Sequence, residues 1–143
     1  GEWKGVTIID DYAHHPVEIK ATLTAAREAT KGRVIAVIEP HRYSRLTHHF
    51  HEFTTCSDVA DVTIVLPIYA ARETPKEGVN HENLVKAMGG EAHCCHTSEE
   101  LPGLIASLAR EGDFVICLGA GSISTLARKL PNQLNNLVLE ATA

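Results

Sequence analysis

The chain has 143 residues and a mass of 15.5 kDa, which is the size of one ordinary domain. Hydrophobic residues make up 44% and charged residues 22%, which excludes a disordered chain, and no apolar run reaches the ~20 residues of a transmembrane helix. The net charge of -5 argues against a chain that binds nucleic acid through bulk positive charge.

The four cysteines predict a reduced protein rather than a disulfide framework. Cys94 and Cys95 are adjacent, and Cys117 lies inside an apolar run. Together with the lack of a signal-peptide pattern, this predicts a cytoplasmic location. Because the sequence begins with Gly1 rather than Met, we expect it to be a piece of a longer protein.

Short β-branched apolar runs alternate with helical patterns along the chain. In chain order the predictions are a strand at 6–9, a helix at 17–30, a strand at 34–38, a helix at 44–57, a strand at 62–66, a helix at 80–88, a short strand at 91–95, a helix from about 98 to 108, a strand at 114–118 and a last helix. That helix is predicted to end near Pro131, and the tail after it to be frayed or loosely docked.

The predicted strands are continuously apolar, which is typical of strands buried on both faces of a parallel sheet. The sequence therefore predicts a single α/β domain over residues 1–143. We expect a three-layer, Rossmann-like fold with a mainly parallel sheet of five or six strands and helices on both faces. The sequence contains no repeat, low-complexity tract or internal linker.

Polar clusters follow four of the predicted strands, at residues 10–16, 39–45, 67–73 and 119–122. Ligands of open α/β sheets bind outside the carboxyl ends of the strands, so these clusters predict a site at that edge. Asp11 either caps a helix or holds a ribose hydroxyl or metal ion. His14 and His15 have a structural alternative, but their place before a helix favours an anion or phosphate contact.

Arg42 and Arg45 are three residues apart, and if the predicted helix begins at Ser44 or earlier, both are expected to point to one side of it. Paired guanidinium groups suit the capture of a carboxylate or a phosphate. An exposed basic helix start is the alternative. Because cations at a helix N-terminus oppose the helix dipole, we expect a compensating anion.

Weaker motifs occur elsewhere in the chain. Gly119 and Gly121 form a tight turn, but a dinucleotide fingerprint requires a third glycine where Ser124 stands, and no Walker-type phosphate loop occurs in the sequence. The histidines and cysteines at residues 48–51 and 93–96 lack zinc-site spacing. We therefore predict no metal site.

The motifs Asp-Asp-Tyr-Ala-His-His-Pro at residues 10–16 and Pro-His-Arg-Tyr-Ser-Arg at residues 40–45 resemble the C-terminal domain of the Mur ligases of bacterial peptidoglycan synthesis. The resemblance covers nearly the whole chain and is strongest to the branch that joins L-alanine to UDP-N-acetylmuramate. Ser122 departs from it, because the family usually has an acidic residue after Gly-Ala-Gly.

The resemblance implies the third, Rossmann-like domain of an ATP-dependent amide-bond-forming ligase. The UDP-sugar domain and the central ATPase domain, which holds the phosphate loop and most Mg²⁺ ligands, are absent from this chain. In the reaction that the resemblance implies, ATP phosphorylates the muramoyl carboxylate, and the amine of L-alanine then attacks the acyl phosphate to give an amide, ADP and phosphate. The implied partners are ATP, L-alanine, UDP-N-acetylmuramate and the missing domains, with no nucleic acid and no membrane.

The resemblance also assigns roles to residues of the two motifs. Tyr12 and His14 lie beside the amino acid and the transferred phosphate, with His14 as the catalytic residue, and Asp11 reaches the ribose of the nucleotide. The chemistry of the residues agrees with these roles, because an amino acid must be held by its carboxylate while its amine stays free, and Arg42 with Arg45 suits the binding of the L-alanine carboxylate. We expect Asp11, His14, Arg42 and Arg45 to face one shared cleft.

Three alternatives remain open at this point. The ligase that recycles murein tripeptide shares the His-His-Pro motif but has Phe where Tyr12 stands. A non-catalytic nucleotide- or anion-binding module is the second. A free-standing Rossmann-type methyltransferase or dehydrogenase is disfavoured, because its glycine turn follows the first strand rather than the last.

Overall fold

A computed structural model describes residues 1–142 of the chain, with side-chain surroundings described for residues 1–138. The six strands are β1 (Glu2–Trp3), β2 (Val6–Asp11), β3 (Val34–Ile38), β4 (Val62–Val65), β5 (Glu91–Cys94) and β6 (Phe114–Leu118). The six α-helices are α1 (Pro16–Ala29), α2 (Tyr43–His48), α3 (Phe50–Thr55), α4 (His81–Ala87), α5 (Leu101–Leu108) and α6 (Ile123–Thr142). A 3₁₀ turn, Ser98–Glu100, precedes α5.

The strands form one sheet in the order β1-β2-β6-β3-β4-β5. Every neighbouring pair is parallel except β1 with β2. Leu118 of β6 lies opposite Asp11 of β2 on one side and Ile38 of β3 on the other, and Ile38 is opposite Val65 of β4. The carboxyl ends of β2, β6, β3 and β4 are therefore level with one another, and the predicted sheet is confirmed.

Helices cover both faces of the sheet, as predicted. On one face, α5 and α6 pack with Trp3 of β1 into one hydrophobic core. On the other face, α1, α2, α3 and α4 form a second core. Helix α1 shows how the pattern works, because Ile19, Leu23 and Ala26 recur at helical spacing and are all buried against the sheet.

The helix predicted at 44–57 is instead two short helices, so that prediction is wrong in detail. The backbone of His49 leaves the helical region (φ -118°, ψ 25°) between α2 and α3. Leu46 and Phe53 are both fully buried, one on each side of the break. The His49 ring lies edge-on to the His15 ring with centroids 4.6 Å apart. Each helix thus directs its own apolar residue into the core.

The last helix continues far beyond the predicted end, and the prediction of a frayed tail is wrong. Pro131 lies inside α6, yet the helix runs on to Thr142. Leu130 and Leu134 are fully buried, and Leu137 packs partly against the same core. This burial stabilises a helix whose interior proline costs one backbone hydrogen bond.

All four cysteines are free thiols. Burial raises the pKa of Cys56 and of Cys117 to about 12, so both remain protonated at neutral pH. In the part of the chain that the structure describes, no helix has both the length and the apolar character to span a bilayer.

Candidate functional site

The loops after β3 and β4 extend the pairing of these strands beyond their ends. The Arg42 backbone N–H donates to the Tyr69 carbonyl at 2.8 Å, and the Tyr69 N–H donates to the Pro40 carbonyl at 2.8 Å. His41 and Tyr69 form an isolated parallel bridge. The Pro-His-Arg segment is therefore held by backbone hydrogen bonds directly above the carboxyl edge of the sheet.

Aromatic rings join this segment to the motif that follows β2. His14 lies edge-on to Tyr12, with centroids 5.1 Å apart, and 5.6 Å from the ring of His41. His41 stacks on Tyr69 at 5.4 Å with 23° between the planes. Nδ1 of His14 lies 3.0 Å from the Tyr12 carbonyl, which only accepts, so Nδ1 carries the proton and Nε2 of the neutral ring is an acceptor.

Positive charges gather around His41. Burial lowers the pKa of His41, and the nearby charges of Arg45 and Arg42, with that of His14 when its ring is protonated, lower it further, while Glu73 opposes them. His41 is therefore neutral at pH 7. Four buried side-chain polar atoms have no hydrogen-bond partner among the described residues, and two of the four, Nη1 of Arg45 and Nδ1 of His41, lie together in this cluster. A buried guanidinium N–H of this kind needs an acceptor, which makes the cluster a candidate anion site.

Arg42 does not share a helix face with Arg45, contrary to the expectation from their spacing. It is the N-cap of α2 and has φ 70° and ψ 139°, a conformation rare for residues other than glycine. Ala71 and Arg72, across the loop pairing, also have positive φ (49° and 74°). Each non-glycine residue held at a positive φ destabilises the folded chain by about 1–3 kcal/mol. With Tyr69 and Ala70, these three line an open cleft of about 590 Å³.

The anion expected at this helix start is supplied in part by the chain itself. The Glu73 carboxylate accepts hydrogen bonds from the Ser44 backbone N–H at 3.0 Å and from the Ser44 hydroxyl at 2.5 Å. These bonds lower the pKa of Glu73, and the charge of Arg42 contributes. The dipole argument alone therefore does not require a ligand, and the unpaired Nη1 of Arg45 is the stronger evidence for one.

Asp11 lies at the same edge but already has partners within its own loop. Its Oδ1 accepts from the Ala13 backbone N–H at 2.8 Å and from the Thr22 hydroxyl at 3.4 Å. These bonds fix the turn that presents Tyr12, a residue that is 70% exposed. The expectation that Asp11 binds the nucleotide ribose remains a prediction, and Oδ2 is the oxygen left for that contact.

Glu39, which the sequence pattern did not single out, is the buried acid of this edge. Its carboxylate accepts from the Ser122 hydroxyl at 2.5 Å and from the Ile123 backbone N–H at 3.2 Å. Ser122, the departure from the family pattern, therefore binds Glu39. The sequence signal that could have identified Glu39 is an acidic residue placed directly after the five apolar residues of β3.

We expect Glu39→Gln to change the pH dependence of stability. Burial raises the pKa of Glu39 above its ordinary value of 4.5, although the bonds from Ser122 and Ile123 oppose this rise. The contribution of Glu39 to stability therefore falls as the pH rises from about 4.5 through the raised pKa, by at most ~1.4 kcal/mol for each pH unit of that interval. The Glu39→Gln variant lacks this pH-dependent contribution, because its side chain does not titrate.

The measurement for Glu39 is urea unfolding of both proteins between about pH 4 and pH 8. The difference in unfolding free energy, wild type minus variant, is expected to fall with rising pH. Other carboxylates titrate equally in both proteins and cancel in this difference. A difference that stays constant across the range would contradict the burial argument.

The backbone of the glycine turn after β6 packs tightly against neighbouring side chains. A Cβ at Gly121 would lie 2.5 Å from Cγ of Tyr69 and 2.7 Å from Oε1 of Glu39, and one at Gly119 would lie 2.7 Å from Cγ2 of Ile123. The turn needs glycine because the backbone of the β6–α6 connection passes this close to the Tyr69 ring.

Gly121→Ala is expected to destabilise the chain by about 1–3 kcal/mol, because the Tyr69 ring must shift away from the new methyl group. Gly103→Ala is the matched control, since Gly103 lies exposed in α5 with open space around it. That change is expected to stabilise the helix by roughly 0.5–1 kcal/mol. Chemical denaturation measures the unfolding free energy of both variants. Equal changes in this free energy for Gly121→Ala and Gly103→Ala would show that the turn is not tightly packed.

The structure also assembles a cluster that the sequence pattern did not predict. His81 at the start of α4 brings a ring nitrogen close to the side chains of Cys94 and His96, at the end of β5 and just beyond it. The sequence spacing suggested no second half-site for Cys94 and His96, because His81 comes from a separate element, the start of α4. Only the pairing of β4 with β5 and the packing of α4 reveal the cluster.

The family model described as "Mur ligase, glutamate ligase domain" matches residues 1–121, which is most of the chain. The chain belongs to this family. The six-stranded, mainly parallel sheet with helices on both faces agrees with this membership, as does the meeting of the two His- and Arg-containing motifs at its carboxyl edge.

Two relatives from other bacteria match over nearly the full chain. A UDP-N-acetylmuramate--L-alanine ligase of Azorhizobium caulinodans is 56% identical over 96% of the chain, and the ligase of the same name from Brucella anthropi is 54% identical over 94%. In both cases the match covers 30% of the relative. The chain thus spans less than a third of the length of these relatives.

Solved structures show the same fold. The UDP-N-acetylmuramate-alanine ligase of Thermotoga maritima superimposes with a TM-score of 0.70 at 25% identity, over 93% of this chain and 27% of that one. A UDP-N-acetylmuramoyl-L-alanyl-D-glutamate--2,6-diaminopimelate ligase gives a TM-score of 0.71 at 15% identity, over 94% of this chain and 31% of that one. The second likeness concerns the fold alone.

Proposed function

We propose that the chain is the C-terminal domain of an ATP-dependent ligase that joins L-alanine to UDP-N-acetylmuramate in peptidoglycan synthesis. The observation that carries the proposal is the buried, unpaired Nη1 of Arg45 in the cationic cluster around His41. A small amino acid offers a carboxylate to such a cluster. The names of the relatives that are about half identical to the chain supply the substrates.

In this proposal the two arginines bind the carboxylate of L-alanine and leave its amine free. Arg42 lines the open cleft and Arg45 lies beside His41, so the carboxylate binds between the loops after β3 and β4. Neutral His41 donates to the same carboxylate through Nδ1. These contacts to the carboxylate orient the amine of L-alanine toward the reacting carbon. The proposal needs no covalent intermediate on the protein.

Tyr12 and His14 act on the reacting end of the amino acid. Nε2 of His14, left as an acceptor by the bond at Nδ1, accepts a proton from the amine, or neutralises phosphate when it is itself protonated. The exposed Tyr12 ring orients His14 through its edge-on contact. His14 is thus proposed as the catalytic residue and Tyr12 as part of the L-alanine site.

The nucleotide contact in this chain is limited to Asp11, whose Oδ2 can accept a hydrogen bond from a ribose hydroxyl. ATP, bound with Mg²⁺, supplies the phosphoryl group that activates the muramoyl carboxylate. No phosphate loop occurs in this sequence, so we place most of the contacts to ATP, Mg²⁺ and the UDP-sugar in further domains outside residues 1–143. We also propose a cytoplasmic location, where ATP is available.

The test is a ligase assay on the protein that contains this chain together with its upstream sequence. We expect ATP-dependent formation of an amide between L-alanine and UDP-N-acetylmuramate, measured by mass spectrometry and by phosphate release. The 143-residue chain alone is expected to fold but to show neither ligation nor ATP hydrolysis.

Three outcomes would overturn the proposal. Preferential ligation of the tripeptide L-alanyl-γ-D-glutamyl-diaminopimelate would identify the recycling ligase instead. Steady ATP hydrolysis or ligation by the 143-residue chain alone would show that the phosphate site lies within these residues. Absence of any ligation by the longer protein, with ATP binding intact, would favour a non-catalytic nucleotide-binding module.

A further inference from the structure

One ligand atom from each of His81, Cys94 and His96 lies within 4.8 Å of the others. Sγ of Cys94 is 3.9 Å from Nδ1 of His96. Tetrahedral zinc, with bonds of about 2.3 Å to sulfur and about 2.0–2.1 Å to nitrogen, separates such ligand atoms by roughly 3.5 Å. Small side-chain rotations therefore bring the three donors into bonding range of a single ion.

A backbone carbonyl fixes the tautomer and the orientation of the His81 ring. Nε2 of His81 lies 3.1 Å from the backbone carbonyl of Cys95. Because a carbonyl only accepts, Nε2 carries the proton and Nδ1 keeps a free lone pair. A histidine that donates its other ring nitrogen to a carbonyl is the usual arrangement at metal sites, since the bond fixes both tautomer and ring orientation.

The three residues are fixed by different elements and differ in exposure. His81 is the first residue of α4 and is buried, Cys94 ends β5 and is half-buried, and His96 is exposed. The His96 backbone N–H donates to the Glu100 carboxylate at 3.1 Å, which holds the loop beyond β5. The cluster therefore has two donors on regular structure and one side that opens to solvent, through which an ion can enter.

The geometry points to a Zn²⁺ site formed by His81, Cys94 and His96, with a fourth position open to water. One thiolate with two imidazoles is a donor set that suits zinc and not the oxygen-seeking Mg²⁺. The site lies outside the Arg42 and Arg45 cluster and is independent of the proposed ligase function.

Bound zinc ties the start of α4 to the end of β5. Strand β5 is the last strand of the sheet in the order, and β4 is its only neighbour among the described strands. A metal bridge at this edge adds a link that the backbone does not supply. Zinc at a hundredfold excess over its Kd is therefore expected to raise the melting temperature of the chain by roughly 5–10 °C.

The experiment uses the purified chain with its thiols reduced and Zn²⁺ alone as the probe, in competition with a chromophoric chelator. We expect one Zn²⁺ per chain. Co²⁺ in its place is expected to give a thiolate-to-cobalt charge-transfer band. Cys94→Ser and His96→Ala are each expected to weaken Zn²⁺ binding by about a hundredfold or more, because outer-shell partners alone contribute ~10–100-fold.

His93→Ala is the matched control. His93 lies next to Cys94 in β5, so its side chain is on the opposite face of the strand, where Nε2 pairs with the Glu91 carboxylate at 2.8 Å. This variant is expected to keep the wild-type Zn²⁺ affinity. Circular dichroism checks the fold of each variant, and His81→Ala is avoided because His81 is buried. No Zn²⁺ binding by the reduced wild type, or equal binding by all three variants, would overturn the assignment.

Discussion

In the full-length protein, Arg45→Ala is expected to raise the apparent KM for L-alanine by on the order of ten- to a hundredfold. The buried Nη1 of Arg45 has no hydrogen-bond partner in the described part of the chain, so the ligand is its proposed acceptor. A charge-assisted hydrogen bond to a carboxylate is worth roughly 1.5–3 kcal/mol. An amino acid as small as L-alanine has few other contacts to compensate for its loss, whereas binding of the UDP-sugar is expected to be unchanged.

Lysine at position 45 is expected to restore only part of the affinity, since it keeps the charge but loses the planar fork. Arg42→Ala is expected to raise the same KM. Arg128, exposed on α6 with a weak 3.4 Å bond to Thr125, provides the control, and Arg128→Ala should leave the KM for L-alanine at the wild-type value. Steady-state kinetics at varied L-alanine measure all four variants. Unchanged KM and kcat in both alanine variants would make Arg42 and Arg45 surface residues and would remove the proposed L-alanine site.

The edge on which this site lies was predictable, because it follows from one rule of parallel sheets. Continuous apolar runs such as residues 34–38 and 114–118 indicated buried parallel strands, and the structure has strands at just these positions. Once the strands are parallel, the residues after each of them must share an edge. The contact between His14 and His41 depends on that shared edge and also on the strand order β2-β6-β3, which the sequence did not reveal.

The details of the site were not predictable, because they depend on contacts between distant loops. The positive φ of Arg42 is held by the hydrogen bond from its backbone to Tyr69, and no local pattern encodes that bond. Glu73 contacts Ser44 from a loop about thirty residues away in sequence. Residue spacing within one motif therefore could not predict that Glu73 supplies a negative charge at the start of α2. The cluster at His81 was missed for the same reason, since its residues meet only when α4 packs beside β5.

Helix α6 illustrates how tertiary burial overrides a local signal. A proline normally ends or kinks a helix, and Pro131 therefore predicted a helix end. The apolar residues that follow recur at helical spacing, and Leu134 is fully buried in the core, with a relative accessibility of 0%. The helical period after residue 131 was the correct signal, and the proline was the misleading one.

Leu134→Ala tests this packing and is expected to destabilise the chain by about 2–5 kcal/mol, the usual cost of removing a fully buried leucine side chain. The corresponding fall in melting temperature is on the order of 10 °C for a domain of this size. Its neighbour Asn135 is exposed on the other side of α6, so Asn135→Ala is expected to change stability by no more than about 0.5 kcal/mol. Thermal and urea unfolding of the two variants compare the buried and exposed faces of the same helical turn. A loosely docked tail would give small and equal effects for both, whereas a large effect of Leu134→Ala alone means that the segment after Pro131 belongs to the folded core on which the sheet edge depends.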